Sequence, residues 1–534
     1  MKNFILDSDS NQGRVYSNLG LVICILAILS LHLIKINQDP QGIYIDEASI
    51  GLNAATIAET GYDEHGKFLP LFFKAFGEYK NPIYIYLSAL IFKLAGVSVF
   101  NLRLTSFIFF ALALIAILQL IRQVFRKNII IQFYIVIAFG SLPWFFNLSR
   151  IGFEVISQLT IIVLALVFIQ RTFNETNYPR WWLINPAFSG FFLGLSIYSY
   201  STSRLLSLLM IDSLIAIYIA KNFSRKSKVI STGSILLGSY SLTILPYLLF
   251  LLNNPGALAN RFRQISYLFN ESLSLFDKVG KFLINYISYL TPHFLLFKGD
   301  PNLRHHTGYG GEITIGVFVF FMIGLLFILF KRKILSDSFV AFICINLFLS
   351  PLAAALTTDK FHSLRSLLLG LFIFVISCYG VEILIQKNNY YIKTTSKKTI
   401  TIILTILISF ILLFQSILYL QDYFIVYPKK SINYFQSYGF DDVLETVAEN
   451  HPNYLVILGY QVYVLYEFYQ KIHNYPQLDH VNVSYEEEFV RKNRCVIYLP
   501  QNGYQEFLDK FTGIYSVIWE VDNPDYFAKL RCYR

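Results

Sequence analysis

What most constrains this chain is a recurrence: eleven mostly apolar stretches of about eighteen or more residues, at 19–36, 99–121, 129–147, 152–170, 183–200, 204–221, 229–252, 312–330, 338–356, 362–386 and 399–420. As a helix rising 1.5 Å per residue, such a stretch spans a hydrocarbon core of about 30 Å. A helix is also the simplest structure that satisfies its own backbone polar groups where there is no water. With 55% hydrophobic and 15% charged residues among 534, a single soluble core is excluded. The expected class is an all-α polytopic transmembrane protein.

The net charge of +10 raises the question of nucleic acid. No basic patch with interleaved aromatics sits on a soluble stretch; the lysines and arginines lie in short loops between apolar runs, a topological pattern. Loops with Arg122, Arg126 and Lys127, with Lys221, Arg225, Lys226 and Lys228, with Lys331, Arg332 and Lys333, and with Lys387, Lys393, Lys397 and Lys398 fall on one face if the eleven stretches cross. That face is then cytoplasmic and the N-terminus inside. By the same parity the apolar segments 83–97 and 281–297 do not cross singly and lie as interfacial or re-entrant helices on the outer face. The 37–98 and 253–311 loops, the turn near Asp359 and everything after Leu420 are placed outside. No small-residue cleavage site separates 19–36 from Asp46, so this first run reads as a retained anchor.

From Gln421 the charge rises and short apolar runs at 454–458, 495–499 and 516–521 alternate with polar or helical stretches. The expectation is a transmembrane domain over 1–420 and a small extracytoplasmic α/β domain over 421–534. Cys24, Cys344 and Cys378 lie in apolar runs as small hydrophobes, which leaves Cys495 and Cys532 as the possible pair. No metal-spacing cluster occurs, and His305-His306 is too short a motif to name a metal site; no metal ligand is assigned and no cofactor is required, a divalent ion being left open.

The densest charge lies between Tyr44 and Pro82. It opens with Asp46-Glu47, continues through Ile50, Ala54, Ile57 and Ala58 at helical spacing, and closes on Glu78, Lys80 and Pro82. This reads as an interfacial helix followed by a polar hairpin. Taken alone, Asp46 caps the helix and Glu47 favours its first turn. Arg150 pairs with Glu154 four residues on, Arg204 snorkels, and Tyr200 is as much an aromatic-belt residue as a sugar platform. Against these bland readings stands convergence. Glu78, Lys80, Arg150, Glu154, Arg204, Arg304, His305, His306, Lys360, His362 and Arg365 all map to outer loops or outer helix ends. Ionisable groups near hydrocarbon are costly unless they face one another or a wet cavity, so the gathering marks a site.

These residues resemble the lipid-linked glycosyltransferases of the GT-C type, in particular the protein O-mannosyltransferase and aminoarabinose transferase family (glycosyltransferase family 39). That family carries an Asp-Glu pair in its first outer loop, as Asp46-Glu47, and a lysine just before a proline, as Lys80-Asn81-Pro82. Asn101-Leu102-Arg103-Leu104 is similar to its Arg-Leu-Pro stretch with Thr105 at the proline position, and Glu154 falls where the family has a second carboxylate. The chain departs from Glu-Lys-Pro-Pro, having Glu78-Tyr79-Lys80-Asn81-Pro82. The resemblance implies a membrane glycosyltransferase that takes a hexose or pentose from a polyprenyl-phosphate donor, with inversion, for a lipid, glycan or protein acceptor.

Chemistry assigns roles within that picture. Nucleotide sugars call for a metal held by Asp-x-Asp, and the one such triplet, Asp7-Ser8-Asp9, lies in the cytoplasmic tail. An outward site needs a donor that crosses the bilayer itself. Its leaving phosphate requires cations: Lys80, with Arg365 or Arg304. The acceptor hydroxyl requires a base: Asp46, with Glu47 or Glu154 orienting the acceptor or sharing the proton. Glu78, His305, His306, His362 and Tyr200 are the expected substrate-binding groups. The rival reading, a transporter or flippase of lipid-linked glycans, expects charges along a path through the spans and paired interrupted helices; neither pattern is present.

Overall fold

The computed structural model describes residues 11–125, 128–174, 183–386, 395–435, 437–450, 454–478, 481–484, 495–498, 517–521 and 529–533. Eight helices among them are long and apolar enough to cross a membrane: Val15–Leu33, Val99–Val124, Val155–Asn174, Ser203–Asn222, Lys226–Asn253, Ser338–Ala355, Leu367–Ile385 and Ile402–Phe435. Each coincides with one of the eleven apolar runs, and the chain is a multi-pass helical membrane protein. The other three runs are the shorter apolar helices Ile129–Gly140, Ile184–Tyr198 and Ile315–Phe330. The first ends early because Pro143, favoured in a first helical turn and unable to continue one, opens a separate helix, Pro143–Leu148. The third starts at Ile315 because Thr314 caps it there, its side chain accepting from the Val317 amide. The 83–97 segment is the helix Pro82–Ala95, and 281–297 divides between the helix Leu275–Tyr289 and a π-helical turn, His293–Lys298.

Four helices frame the site: α1 (Asn11–Leu33), α2 (Ile45–Thr60), α3 (Pro82–Ala95) and α4 (Val99–Val124). Between α2 and α3 stands the expected hairpin, β1 (Phe73–Ala75) and β2 (Glu78–Lys80), antiparallel with Phe73 opposite Lys80 and Ala75 opposite Glu78. Its two turn residues, Phe76 and Gly77, have φ of +51° and +77°, the left-handed pair that a tight hairpin matching strand twist demands. Alternation along β2 then puts Glu78 and Lys80 on one face.

Helix α2, expected as an interfacial helix, is enclosed by protein on two sides. Every residue from Ala48 to Ala55 is buried. One side meets α3 and α4, and the other is covered by the helix Tyr460–His473, whose Phe468 ring occupies the space a Cβ on Gly51 would need. The last spanning helix also runs beyond Leu420, through a π-helical turn at Asp422–Val426, to Phe435.

Beyond it lies a five-stranded mixed sheet: β3 (Tyr454–Ile457), β4 (Asn482–Ser484), β5 (Cys495–Tyr498), β6 (Val517–Val521) and β7 (Lys529–Tyr533), in the order β4-β3-β5-β7-β6. The short apolar runs of the tail are its strands β3, β5 and β6. Strand β3 pairs parallel with β4 and β5, and β7 pairs antiparallel with β5 and β6. Cys495 and Cys532 are register partners across β5 and β7, and a disulfide joins them.

Candidate active site

Tyr44 is the N-cap of α2, and the carboxylate that closes the cap is Glu47: its Oε2 accepts from the Tyr44 amide at 3.1 Å. Asp46, expected from sequence to cap the helix, instead turns toward the hairpin, where its Oδ1 accepts from Lys80 Nζ at 2.7 Å. Burial alone would push the Asp46 carboxyl up, but the Lys80 ammonium and its hydrogen bond outweigh it and hold the group below the usual carboxylate range. The Asp46 side chain remains 39% exposed beside a 7% exposed Lys80. For Lys80, burial would lower the pKa, yet Asp46, Glu154 and Glu78 together raise it and the amine stays protonated.

Glu154 is seated by the residue after Lys80. Its Oε1 accepts from the Asn81 amide and its Oε2 from Asn81 Nδ2, both at 2.7 Å. Burial pushes its carboxyl up to about 7, against the opposing pull of Lys80 and the Asn81 bonds. Asn81 Oδ1 in turn accepts from Arg204 Nη2 at 3.1 Å. Arg204 therefore does not snorkel; it points into the cluster. Arg261, which the sequence reading passed over, pairs with Glu78 at 3.4 Å and acts on Asp46 as well. Its only local signal is the cation pair in Arg261-Phe262-Arg263; nothing in the sequence says which loop meets β2.

The remaining expected residues separate into two groups. Tyr200 lies within electrostatic range of Arg365, Glu154, Glu78 and Asp46. The Arg304 guanidinium stacks over the Tyr44 ring at 3.9 Å and acts on Asp46. Arg365, bonded to Asp359 at 2.7 Å and Thr357 at 2.9 Å, stands on the Tyr200 side. His305 and His362 adjoin each other at 4.6 Å between ring centroids, with His305 edge-on to Phe153.

Glu47 and His306 are placed otherwise. Glu47 is wholly buried and accepts from Arg103 and from the Gly152 amide at 2.8 Å. Arg103 spends all five donors, two on Glu47 and three on the carbonyls of Ile36, Pro40 and Gly42. This pair joins α4 to the α1–α2 connection and positions the turn that carries Glu154. His306 is 1% exposed and bonded within its own loop to Gly308 and Gly311. Arg150 does not pair with Glu154: it is fully buried and donates to the carbonyls of Leu31, His32 and Ile34 at the end of α1.

Around the buried Lys80 ammonium, then, stand three carboxylates, Asp46, Glu154 and Glu78, with the Arg204 and Arg261 guanidinium groups beside them. Such a set can bind an anionic leaving group and take a proton from an incoming hydroxyl.

No sequence family and no curated protein matches the chain. Solved structures do. ArnT from Cupriavidus metallidurans bound to undecaprenyl phosphate is similar at 10% identity with a TM-score of 0.57, over 98% of both chains. The archaeal oligosaccharyltransferase AglB from Archaeoglobus fulgidus, in complex with an inhibitory peptide and a dolichol-phosphate, is similar at 15% identity with a TM-score of 0.51, over 87% of this chain and 64% of that one. Both have the GT-C fold, and that is the fold of this chain.

Proposed function

We propose that the chain is an inverting glycosyltransferase that moves a hexose or pentose from a polyprenyl-phosphate donor to a lipid, glycan or protein acceptor at the extracytoplasmic face. The observation that carries this reading is the Asp46–Lys80 pair, 2.7 Å apart, with Asp46 part-exposed and Glu154 acting on the same ammonium. The polyprenyl phosphates named with both solved structures support the donor class.

The pair is a gate for the base. With no donor, Lys80 keeps Asp46 ionised but weakly basic. A donor phosphate competes for the same ammonium, and charge-assisted bonds to phosphate oxygens are strong. As Lys80 turns to the phosphate, Asp46 loses the partner that lowered its pKa, while burial goes on raising it. Asp46 then accepts the acceptor hydroxyl's proton as the new glycosidic bond forms. The bond from the anomeric carbon to phosphate breaks on the opposite face, its electron pair leaving on the phosphate oxygen. Lys80, with Arg365 or Arg304 and with Arg261 and Arg204 nearby, stabilises the charge that develops there. Glu154 orients the acceptor or shares the proton through its near-neutral carboxyl.

The test is transfer by purified protein in detergent from a synthetic polyprenyl-phosphate sugar, followed by release of the polyprenyl phosphate. Turnover in wild type and its loss in Asp46→Asn are expected. Full activity in Asp46→Asn, or translocation of an intact lipid-linked glycan without release of the phosphate, sinks the reading.

A further inference from the structure

Asp300, His305 and His362 form a group of ligand-type atoms that the transfer proposed above does not use. Asp300 and His305 come from the segment before the helix Ile315–Phe330, and His362 comes from the turn after Asp359. One potential ligand atom on each lies within 4.8 Å of the other two. His305 Nδ1 and Asp300 Oδ2 are already 2.9 Å apart, and the two imidazoles are inclined at 31°. His362 Nδ1 is shielded from solvent and has no hydrogen-bond partner among the described residues. A buried polar atom left so costs about 1–3 kcal/mol.

Behind these three atoms is a second ring of contacts. The Ser363 amide donates to Asp300 Oδ2 and the Asn302 amide to Asp300 Oδ1, each at 2.8 Å. Glu312 Oε1 accepts from the Asp300 amide at 2.9 Å and from the Ser363 hydroxyl. Metal ligands are oriented in this manner, by outer partners that fix the carboxylate and the backbone next to it.

We propose that Asp300, His305 and His362 bind one zinc-class divalent cation, which clamps the second loop to the turn carrying Arg365. Two imidazoles and a carboxylate form the donor set of three-ligand zinc sites that keep a fourth position open, and they disfavour calcium and magnesium, which take oxygen. Bonds of about 2.0–2.2 Å in a tetrahedron put ligand atoms roughly 3.4 Å apart, so the widest pair closes by at most about 1.4 Å and the His305–Asp300 pair, now 2.9 Å apart, opens by about 0.5 Å. Arg304 and Arg365 act on His362 and oppose a cation. Arg365 is itself paired with Asp359, and the Asp300 carboxylate offsets the remainder.

The probe is cobalt(II), added to the full-length chain in detergent after treatment with a chelator. One cobalt per chain is expected, with the intense visible band of a tetrahedral site, bleached by one equivalent of zinc. His362→Gln and Asp300→Asn should each weaken binding by about 10-fold or more. His65→Ala, at a loop histidine that bonds the Lys74 carbonyl, should leave it unchanged. Less than one cobalt per wild-type chain overturns the proposal without recourse to any variant. A band of full strength in a monodisperse His362→Gln protein overturns it as well.

Discussion

Asp46 and Glu47 leave the same turn of α2 in different directions. Asp46 meets Lys80 at 2.7 Å with its side chain 39% exposed; Glu47 meets Arg103 at 3.1 Å with neither side chain exposed. Both are carboxylate–cation pairs at close distance, so the difference lies in the surroundings and in the five-donor fork of Arg103 against the single ammonium of Lys80. Around Glu47 each guanidinium donor has a partner and no other molecule can enter, which makes the pair a fixture. At Asp46 water or a ligand can compete for the ammonium, which makes the pair exchangeable. A site for an anionic donor needs one pair of each kind, the second to react and the first to hold the second in register.

The largest expected effect breaks the buried pair. Arg103→Ala or Glu47→Ala leaves a buried charge uncompensated and should cost about 3–5 kcal/mol, read as a large fall in melting temperature or loss of folded protein in detergent. If Glu47→Ala melts like wild type, the pair is no fixture and the contrast fails. Next, Asp46→Asn should lower transfer about 100-fold or more; because Asp46 is part-exposed and an amide oxygen can still accept from Lys80, stability should change by only about 1 kcal/mol. Lys80→Ala should weaken donor binding as well as turnover. Lys80→Arg should rescue only in part, because a planar fork replaces a point charge; full rescue would move the phosphate contact elsewhere.

A pH series sharpens the comparison within the open half. With its carboxyl pushed up to about 7, Glu154 is protonated below that pH and ionised above it. If transfer uses the ionised form, the rate should climb about tenfold per unit as pH rises toward 7 and level off beyond, and Glu154→Gln should remove the step. A rate flat from pH 5 to 8 in wild type would leave Glu154 as a positioning group for Asn81. The smallest effect belongs to the exposed Arg261–Glu78 pair. Arg261→Ala should shift stability by no more than about 1 kcal/mol yet raise the donor concentration needed for half-maximal rate.

How much of this was legible in the sequence depended on the range of the interaction. Apolar runs and the hairpin are local, and they lie where the sequence puts them. Asp46, Lys80 and Glu154 stand out in the sequence because charge is conspicuous in a membrane chain, and the fold brings them together. Which carboxylate of the pair would stay part-exposed beside Lys80 was not legible, since only the fold shows that Arg103, more than fifty residues on, claims Glu47. Arg150 and Arg204 have similar surroundings in sequence and opposite fates for the same reason. The burial of α2 on both sides was hidden too, because its cover comes from a helix some four hundred residues later.

That cover bears on modularity. Gly51 lies one helical turn beyond Glu47, and the Phe468 ring of the tail fills the space its missing side chain leaves. The tail thus forms one wall of the helix that carries Asp46. A chimera that exchanges the tail for that of another GT-C protein would need a ring of the same size over a glycine at the same position. Otherwise α2 would shift and carry Asp46 away from Lys80, and a graft made at the tail would undo a pair in the membrane part.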